Sequence, residues 1–229
     1  MTTVAARELA DGEVVFVGIG LPNLACNLAR RTHAPNLVLI YESGAVGATP
    51  SRLPVSIGDP ALVTGSLMVC GMADVFQLFL QNGRIEVGFL GGAQVDRYGN
   101  INTTVIGDYA KPKVRLPGSG GAAEIALHAQ RILIVSKLSP RAFPERVDFV
   151  TSSGQRVTRV ITDKGVLERD AASGELVLAG LYPGVASTDV AVGWKLRARS
   201  QLARLEPPSK LELQLLRDVL DPQRLYLKS

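Results

Sequence analysis

A strand–glycine–helix–strand succession near the start of the chain most limits what the sequence can fold into. Glu13 to Val17 is rich in valine and reads as a strand. Gly18-Ile19-Gly20-Leu21-Pro22-Asn23 follows as a glycine loop, with proline where a helix would begin. Leu24 to Arg31 continues as that helix. Leu37 to Tyr41 is a second strand whose unbroken apolar run suits burial on both faces of a parallel sheet. Such a unit is nearly always right-handed and parallel. It points to an α/β fold with an open, mainly parallel sheet and helices on both faces. Glu42 closes the second strand at its carboxyl end, where open α/β sheets place their ligands. Ser43 and Gly44 behind it are small, so a substrate or backbone can approach closely. Glu42 therefore has two readings: a nucleophile, or a strand-end acid that caps a turn or pairs with an arginine.

Further along, Thr3 to Ala10 suggests a short helix. Thr49 to Pro60, with three prolines, reads as a loop. Met72 to Leu80 has helical spacing and stops at Asn82-Gly83. Ile85 to Leu90 reads as a third strand, running into Gly91-Gly92-Ala93-Gln94 and a turn at Arg97 to Asn100. Ile101 to Arg115 has little periodicity. Pro117 to Ala123 is a second glycine loop, before a helix over Glu124 to Gln130 and a buried strand over Arg131 to Val135. Val147 to Val150 suggests one short strand. A β-rich stretch spans about Arg156 to Tyr182, and Lys210 to Leu220 is an amphipathic helix. Without an obvious linker, residues 1–229 read as a single domain.

Hydrophobic content of 46% in 229 residues supports a sizeable core. The net charge of +4 comes without a dense basic run, which argues against nucleic acid. No run of about 18 apolar residues exists to span a bilayer. The first residues lack a signal-peptide layout. Cys26 and Cys70, both in apolar contexts, suggest buried thiols in a reducing compartment. A cytoplasmic protein without a membrane partner is expected.

His33 and His128 have no companions at metal-ligand spacing, so no zinc site is expected. There is no Gly-x-Ser-x-Gly elbow. Gly118-x-Gly120-x-x-Ala123 matches the dinucleotide pattern in letters but follows no clear strand. Glycines opening a helix can present free N–H groups to an oxyanion or phosphate, or can simply make a tight turn. The loop Gly18 to Asn23 has the same two readings.

Six motifs then occur in order: Gly18-Ile-Gly-Leu-Pro, Glu42-Ser-Gly, Gly91-Gly-Ala-Gln-Val-Asp-Arg-Tyr-Gly-Asn-Ile-Asn, Ile106-Gly-Asp-Tyr, Gly118-Ser-Gly-Gly-Ala and Ile161-Thr-Asp-Lys-Gly. This order resembles the β subunit of family I coenzyme A transferases, most nearly the glutaconate CoA-transferase branch, to about Pro222. The resemblance implies that Glu42 is the catalytic carboxylate and that Gly121 is associated with the oxyanion site. It implies that Gly20, Gly92, Ala93, Gln94 and Gly120 border CoA or the acyl group. It further implies an α-subunit partner, in an α2β2 or higher assembly. Acyl-CoA and carboxylic acids would be the substrates, with coenzyme A itself a substrate rather than a bound cofactor. An acyl-CoA or cyclic β-diketone hydrolase on the same scaffold is one rival reading, and a non-catalytic ligand-binding module is another.

Overall fold

The computed structural model describes residues 1–227. The chain, expected as a single domain, divides into two compact units. The first comprises Met1–Phe89, His128–Gln130 and the segment from Pro208 onward; the second comprises Leu90–Leu127 and Arg131–Pro207.

In the first unit, α1 (Thr2–Arg7), β1 (Val14–Phe16), α2 (Leu21–Arg30) and β2 (Val38–Ile40) follow one another. The strands pair in parallel, Val15 opposite Leu39. Leu39 and Ile40 are fully buried, which contributes roughly 1.5–3 kcal/mol for each side chain. The α2 helix starts at Leu21 with Pro22 in its first turn, as the sequence suggested; Gly20 at φ +98° sets the chain direction and its carbonyl accepts from Leu24 N–H at 3.0 Å. A left-handed backbone of that kind favours glycine.

After β2 the chain turns straight back as β3 (Ala45–Val46), antiparallel to β2, and returns again as β4 (Met68–Val69). The expected loop between them contains a short 3₁₀ turn, Pro60–Val63, capped by Asp59. The α3 helix (Met72–Asp74) continues as wider π-type turns through Val75–Leu80. Then β5 (Val87–Leu90) runs parallel to β1. The strand order is β5-β1-β2-β3-β4.

The second unit holds β6 (Gln94–Val95), β7 (Ile101–Asn102), β8 (Val105–Gly107) and β9 (Pro112–Arg115), paired as two small hairpins where the sequence showed little periodicity. After α4 (Ala122–His128) come β10 (Arg131–Val135), β11 (Val157–Ile161), β12 (Gly165–Arg169), β13 (Leu176–Leu181) and β14 (Ala198–Arg204), adjacent in that order. Pairing is parallel for β10–β11 and β13–β14, and antiparallel for β11–β12 and β12–β13. The α/β class and the open sheet with its parallel centre thus hold.

Val147 to Val150 forms no strand. Its Asp148 is instead drawn to Gly107 N–H, and only Ser152 beyond it bridges to Ile101. The last helix, α5 (Lys210–Gln214), lengthens through Leu215–Leu220 as expected and belongs to the first unit. Among the described residues no helix is long and apolar enough to cross a membrane.

Candidate active site

The expected site residues fall in both units, Glu42 and Gly20 in the first, and Gly92, Ala93, Gln94, Gly120 and Gly121 in the second. Glu42 sits at the tip of the β2–β3 hairpin. The turn closes on itself: Gly44 N–H donates to the Tyr41 carbonyl at 2.9 Å, and Tyr41 N–H donates to the Ala45 carbonyl at 3.0 Å. Gly44 has φ +103°, and a β-carbon there would overlap the Cys70 carbonyl. The turn is therefore built by backbone and glycine, and the Glu42 carboxylate is not needed to cap it. Among the described residues the half-buried Glu42 side chain makes no hydrogen bond and no ion pair. Among the described residues both structural uses of a strand-end acid are thus absent at Glu42.

Behind the tip lies a buried polar chain that the sequence did not reveal. The Tyr41 hydroxyl donates to Asn23 Oδ1 at 2.9 Å. Asn27 Nδ2 donates to the same oxygen at 2.7 Å and to the Asn23 carbonyl at 2.9 Å. Burial pushes the Tyr41 hydroxyl pKa up, so it stays a neutral donor. Asparagines four apart on one helix face were the only available sign. Arg30, on the same helix, donates to the Ala48 carbonyl at 2.6 Å and pins the far end of the hairpin. Of the two cysteines, Cys26 is buried as expected, while Cys70 is only half-buried; both are free thiols.

In the second unit, Asn102 to Thr104 acts as a common strut for both expected loops. Ala93 N–H donates to the Asn102 carbonyl at 2.9 Å, Gly118 N–H to Thr103 at 2.8 Å and Leu116 N–H to Thr104 at 2.9 Å. Beyond Gly118, Ser119 accepts from Ala122 N–H through its carbonyl and from Ala123 N–H through Oγ. The N–H groups of Gly120 and Gly121 take no partner among the described residues. Nothing stands within 4 Å of where a side chain on Gly120 would begin. This loop therefore presents open donors in open space.

The Gly91–Gln94 loop is mostly scaffold. A β-carbon on Gly92 would overlap Ile101. Gln94 is buried, and its amide is spent inward, accepting from Asn102 Nδ2 at 2.7 Å and donating to Asp148 at 3.2 Å. Ala93 and Gln94 still line a mainly apolar recess of about 320 Å³ with Ile106, Val114, Leu116 and Arg141. The rest of the motif is also structural: Asp96 Oδ1 accepts from Tyr98 and Asn100 N–H at 2.9 and 3.0 Å and holds the turn. A groove of about 480 Å³ between α1 and α5 in the first unit shares no residue with the expected site.

Exposed apolar side chains crowd the segment that follows the hairpin. Val55, Val63, Leu67, Val69, Met72 and Leu78 are each more than half exposed. Leu67 lies against Gly47 and Cys70 against Gly44, so this patch flanks the Glu42 hairpin.

Comparison with known proteins agrees with the resemblance. The sequence model of the coenzyme A transferase family matches residues 1–193. The β subunit of 3-oxoadipate CoA-transferase from Pseudomonas knackmussii is 48% identical over 95% of this chain and 90% of its own length. The β subunit of glutaconate CoA-transferase from Acidaminococcus fermentans is 34% identical over 97% of this chain and 91% of its own length. The crystal structure of glutaconate coenzyme A-transferase from the same organism superposes with a TM-score of 0.93 at 32% identity, covering 100% of this chain and 95% of that one. The cholesterol ring-cleaving hydrolase IpdB subunit of Rhodococcus jostii is more distant, at 27% identity over 90% of this chain and 83% of its own length. The chain belongs to the coenzyme A transferase family, as a chain of the β-subunit type.

Proposed function

We propose that this chain is the β subunit of an enzyme that moves coenzyme A between carboxylic acids, with Glu42 as its nucleophile. The observation that carries the residue assignment is the unengaged Glu42 carboxylate at the tip of a turn that holds itself together. The Glu42 carboxylate attacks the thioester carbonyl of an acyl-CoA, forming a mixed anhydride and releasing CoA as the thiolate. The thiolate attacks the glutamyl carbonyl of that anhydride, giving a Glu42–CoA thioester and the free acid. A second carboxylate then attacks the Glu42 thioester, and the same steps run in reverse. No metal or redox partner is needed to balance these steps. Exclusion of water keeps the thioester energy in the products.

Each tetrahedral intermediate carries an oxyanion, which preorganised backbone N–H groups stabilise. The unpartnered Gly121 N–H suits that role, and the open Gly120 beside it leaves room for a ligand. Gly20, at the start of α2, and the Ala93 recess are proposed to border CoA or the acyl group. The relatives named for 3-oxoadipate and glutaconate suggest a dicarboxylic acyl group here too. The exposed apolar patch beside the hairpin suits a permanent partner, since monomers rarely expose contiguous patches above a few hundred Å². An α-type subunit is the proposed occupant, so the chain alone should show negligible transfer.

The test uses the chain purified together with its α-type partner. Incubation with acyl-CoA and then borohydride should reduce the Glu42 thioester to the alcohol and inactivate the enzyme. Glu42→Ala should abolish both transfer and trapping while melting like the wild type. Simple hydrolysis without a Glu42 adduct, or transfer retained in Glu42→Ala, overturns the proposal.

A further inference from the structure

The Tyr41–Asn23–Asn27 chain joins two places that the proposed function uses. Tyr41 immediately precedes Glu42, and its side chain is fully buried. Asn23 lies three residues beyond Gly20, in the first turn of α2, and is also fully buried. One oxygen, Asn23 Oδ1, takes both the Tyr41 hydroxyl and Asn27 Nδ2. The other end of the same amide is left bare: Asn23 Nδ2 is buried without a partner. A buried donor without a partner costs stability, and native chains carry few of them. Turned over, the amide would set its Nδ2 against Asn27 Nδ2, a donor facing a donor, so the observed orientation is the one that serves both neighbours. In this orientation one Asn23 oxygen serves Tyr41 and Asn27 together, while its nitrogen stays unpaired. On the same helix Cys26 is a buried free thiol, and Arg30 donates to the Ala48 carbonyl.

We infer that Tyr41 and Asn23 are positioning residues that fix the backbone of Glu42 against the glycine loop at the start of α2. Neither touches substrate. Their effect is on where the Glu42 carboxylate stands when the thioester arrives. Cys70 holds the turn from its Gly44 side, and the Tyr41 hydroxyl ties down the strand end from which the turn grows on the Glu42 side. Freeing that bond lets the strand end shift without unfolding the hairpin, whose backbone bonds remain.

This inference rests on Glu42 being the nucleophile, and the experiment separates the two. The complex with the α-type partner is prepared with wild-type, Glu42→Ala, Tyr41→Phe and Asn27→Leu chains. Tyr41→Phe keeps the ring and removes only the hydroxyl. Its kcat should fall at least about tenfold, a part of the ~10²-fold that a 1 Å misplacement can cost. KM for acyl-CoA should change less than about threefold, because the loops that bind it are intact. Borohydride trapping in a single turnover should slow by the same factor as kcat. The double variant Tyr41→Phe/Asn27→Leu should be no slower than the worse single one, as expected for groups in one chain. A lowered melting temperature with kcat within about twofold of wild type overturns the inference, since a purely structural role predicts that pattern. Should Tyr41→Phe not fold, Asn27→Leu gives the same reading: kcat must fall with KM held, or the inference fails. Transfer surviving in Glu42→Ala refutes the nucleophile itself; Glu42 proving essential while Tyr41→Phe runs at full rate refutes only the positioning role.

Discussion

The carbonyl oxygen of Cys70 occupies the space that a side chain on Gly44 would need. Cys70 N–H also donates to the Gly44 carbonyl at 3.0 Å, so the strand end after Leu67 clamps the turn that carries Glu42. Gly44→Ala should lose roughly 1–3 kcal/mol from its left-handed backbone alone, with the overlap adding to that. Gly91→Ala, where nothing stands within 4 Å, should melt like the wild type. Paired thermal melts of the two variants check this. Equal melting temperatures would show that the clamp is not tight.

Glu42→Asp keeps the charge but shortens the arm by one methylene. The attacking oxygen then stands more than a bond length back, and turnover should fall by about 10²-fold or more. Steady-state rates with the α-type partner present measure it. Substantially retained turnover would mean that the hairpin tip is mobile enough to compensate.

Gly121→Val should act on the transition state more than on binding. The N–H remains, but the valine side chain stands in the way of the thioester oxygen, and an oxyanion donor put out of reach costs roughly 10²–10³ in kcat. Because Gly121 also opens α4 through its carbonyl, which accepts from Ile125 N–H at 3.0 Å, circular dichroism must first show the helix intact. The decisive figure is the ratio of the fall in kcat to the change in KM. A rise in KM at constant kcat would assign this loop to binding.

Asp59 gives the fold a dependence on acid. Arg52 donates to it twice, at 2.7 and 2.8 Å, and Val55 and Ala61 N–H groups add two more bonds. The Arg52 side chain, then these backbone donors, hold its carboxyl well below the usual range. The folded pKa is depressed, so the stabilisation is complete above the unfolded value of about 3.9 and is lost as pH falls toward the lower folded value. Asp59→Asn should therefore be less stable than wild type at pH 7, with the gap narrowing near pH 2. Urea midpoints at the two pH values test the sign, and a gap that widens in acid would contradict it.

The βαβ start was legible because Val14–Phe16 and Val38–Ile40 are unbroken apolar runs around a glycine loop with Pro22 behind it. The strands β7 to β9 were not, because runs of two to four residues are too short to show a period. Strand β14, Ala-Arg-Ser-Gln-Leu-Ala-Arg, is almost wholly exposed and carries no burial pattern to read. Within the site, the position of Glu42 could be read from the strand before it. The inward turn of Gln94 could not, because it depends on Asn102 and Asp148 arriving from elsewhere in the chain. The link from Tyr41 to Asn23 was hidden for the same reason, since each looks like an ordinary core residue in its own segment.

Arg7 bonds Glu212 at 2.6 Å across 205 residues of chain, and the Tyr226 hydroxyl donates to the Pro54 carbonyl at 2.7 Å. These bonds bring the segment from Pro208 onward back onto the unit that holds Glu42. During synthesis, that unit is begun before residue 90 and completed only after Pro207. Everything from Leu90 to Pro207 leaves the ribosome before α5 exists to cover α2. A chain interrupted anywhere in between already contains Glu42 but not the completed unit around it. Contacts of such long sequence separation form late and slowly. Glu42 therefore comes into its finished setting only on chains that have been made past Pro208 and the helix that follows it.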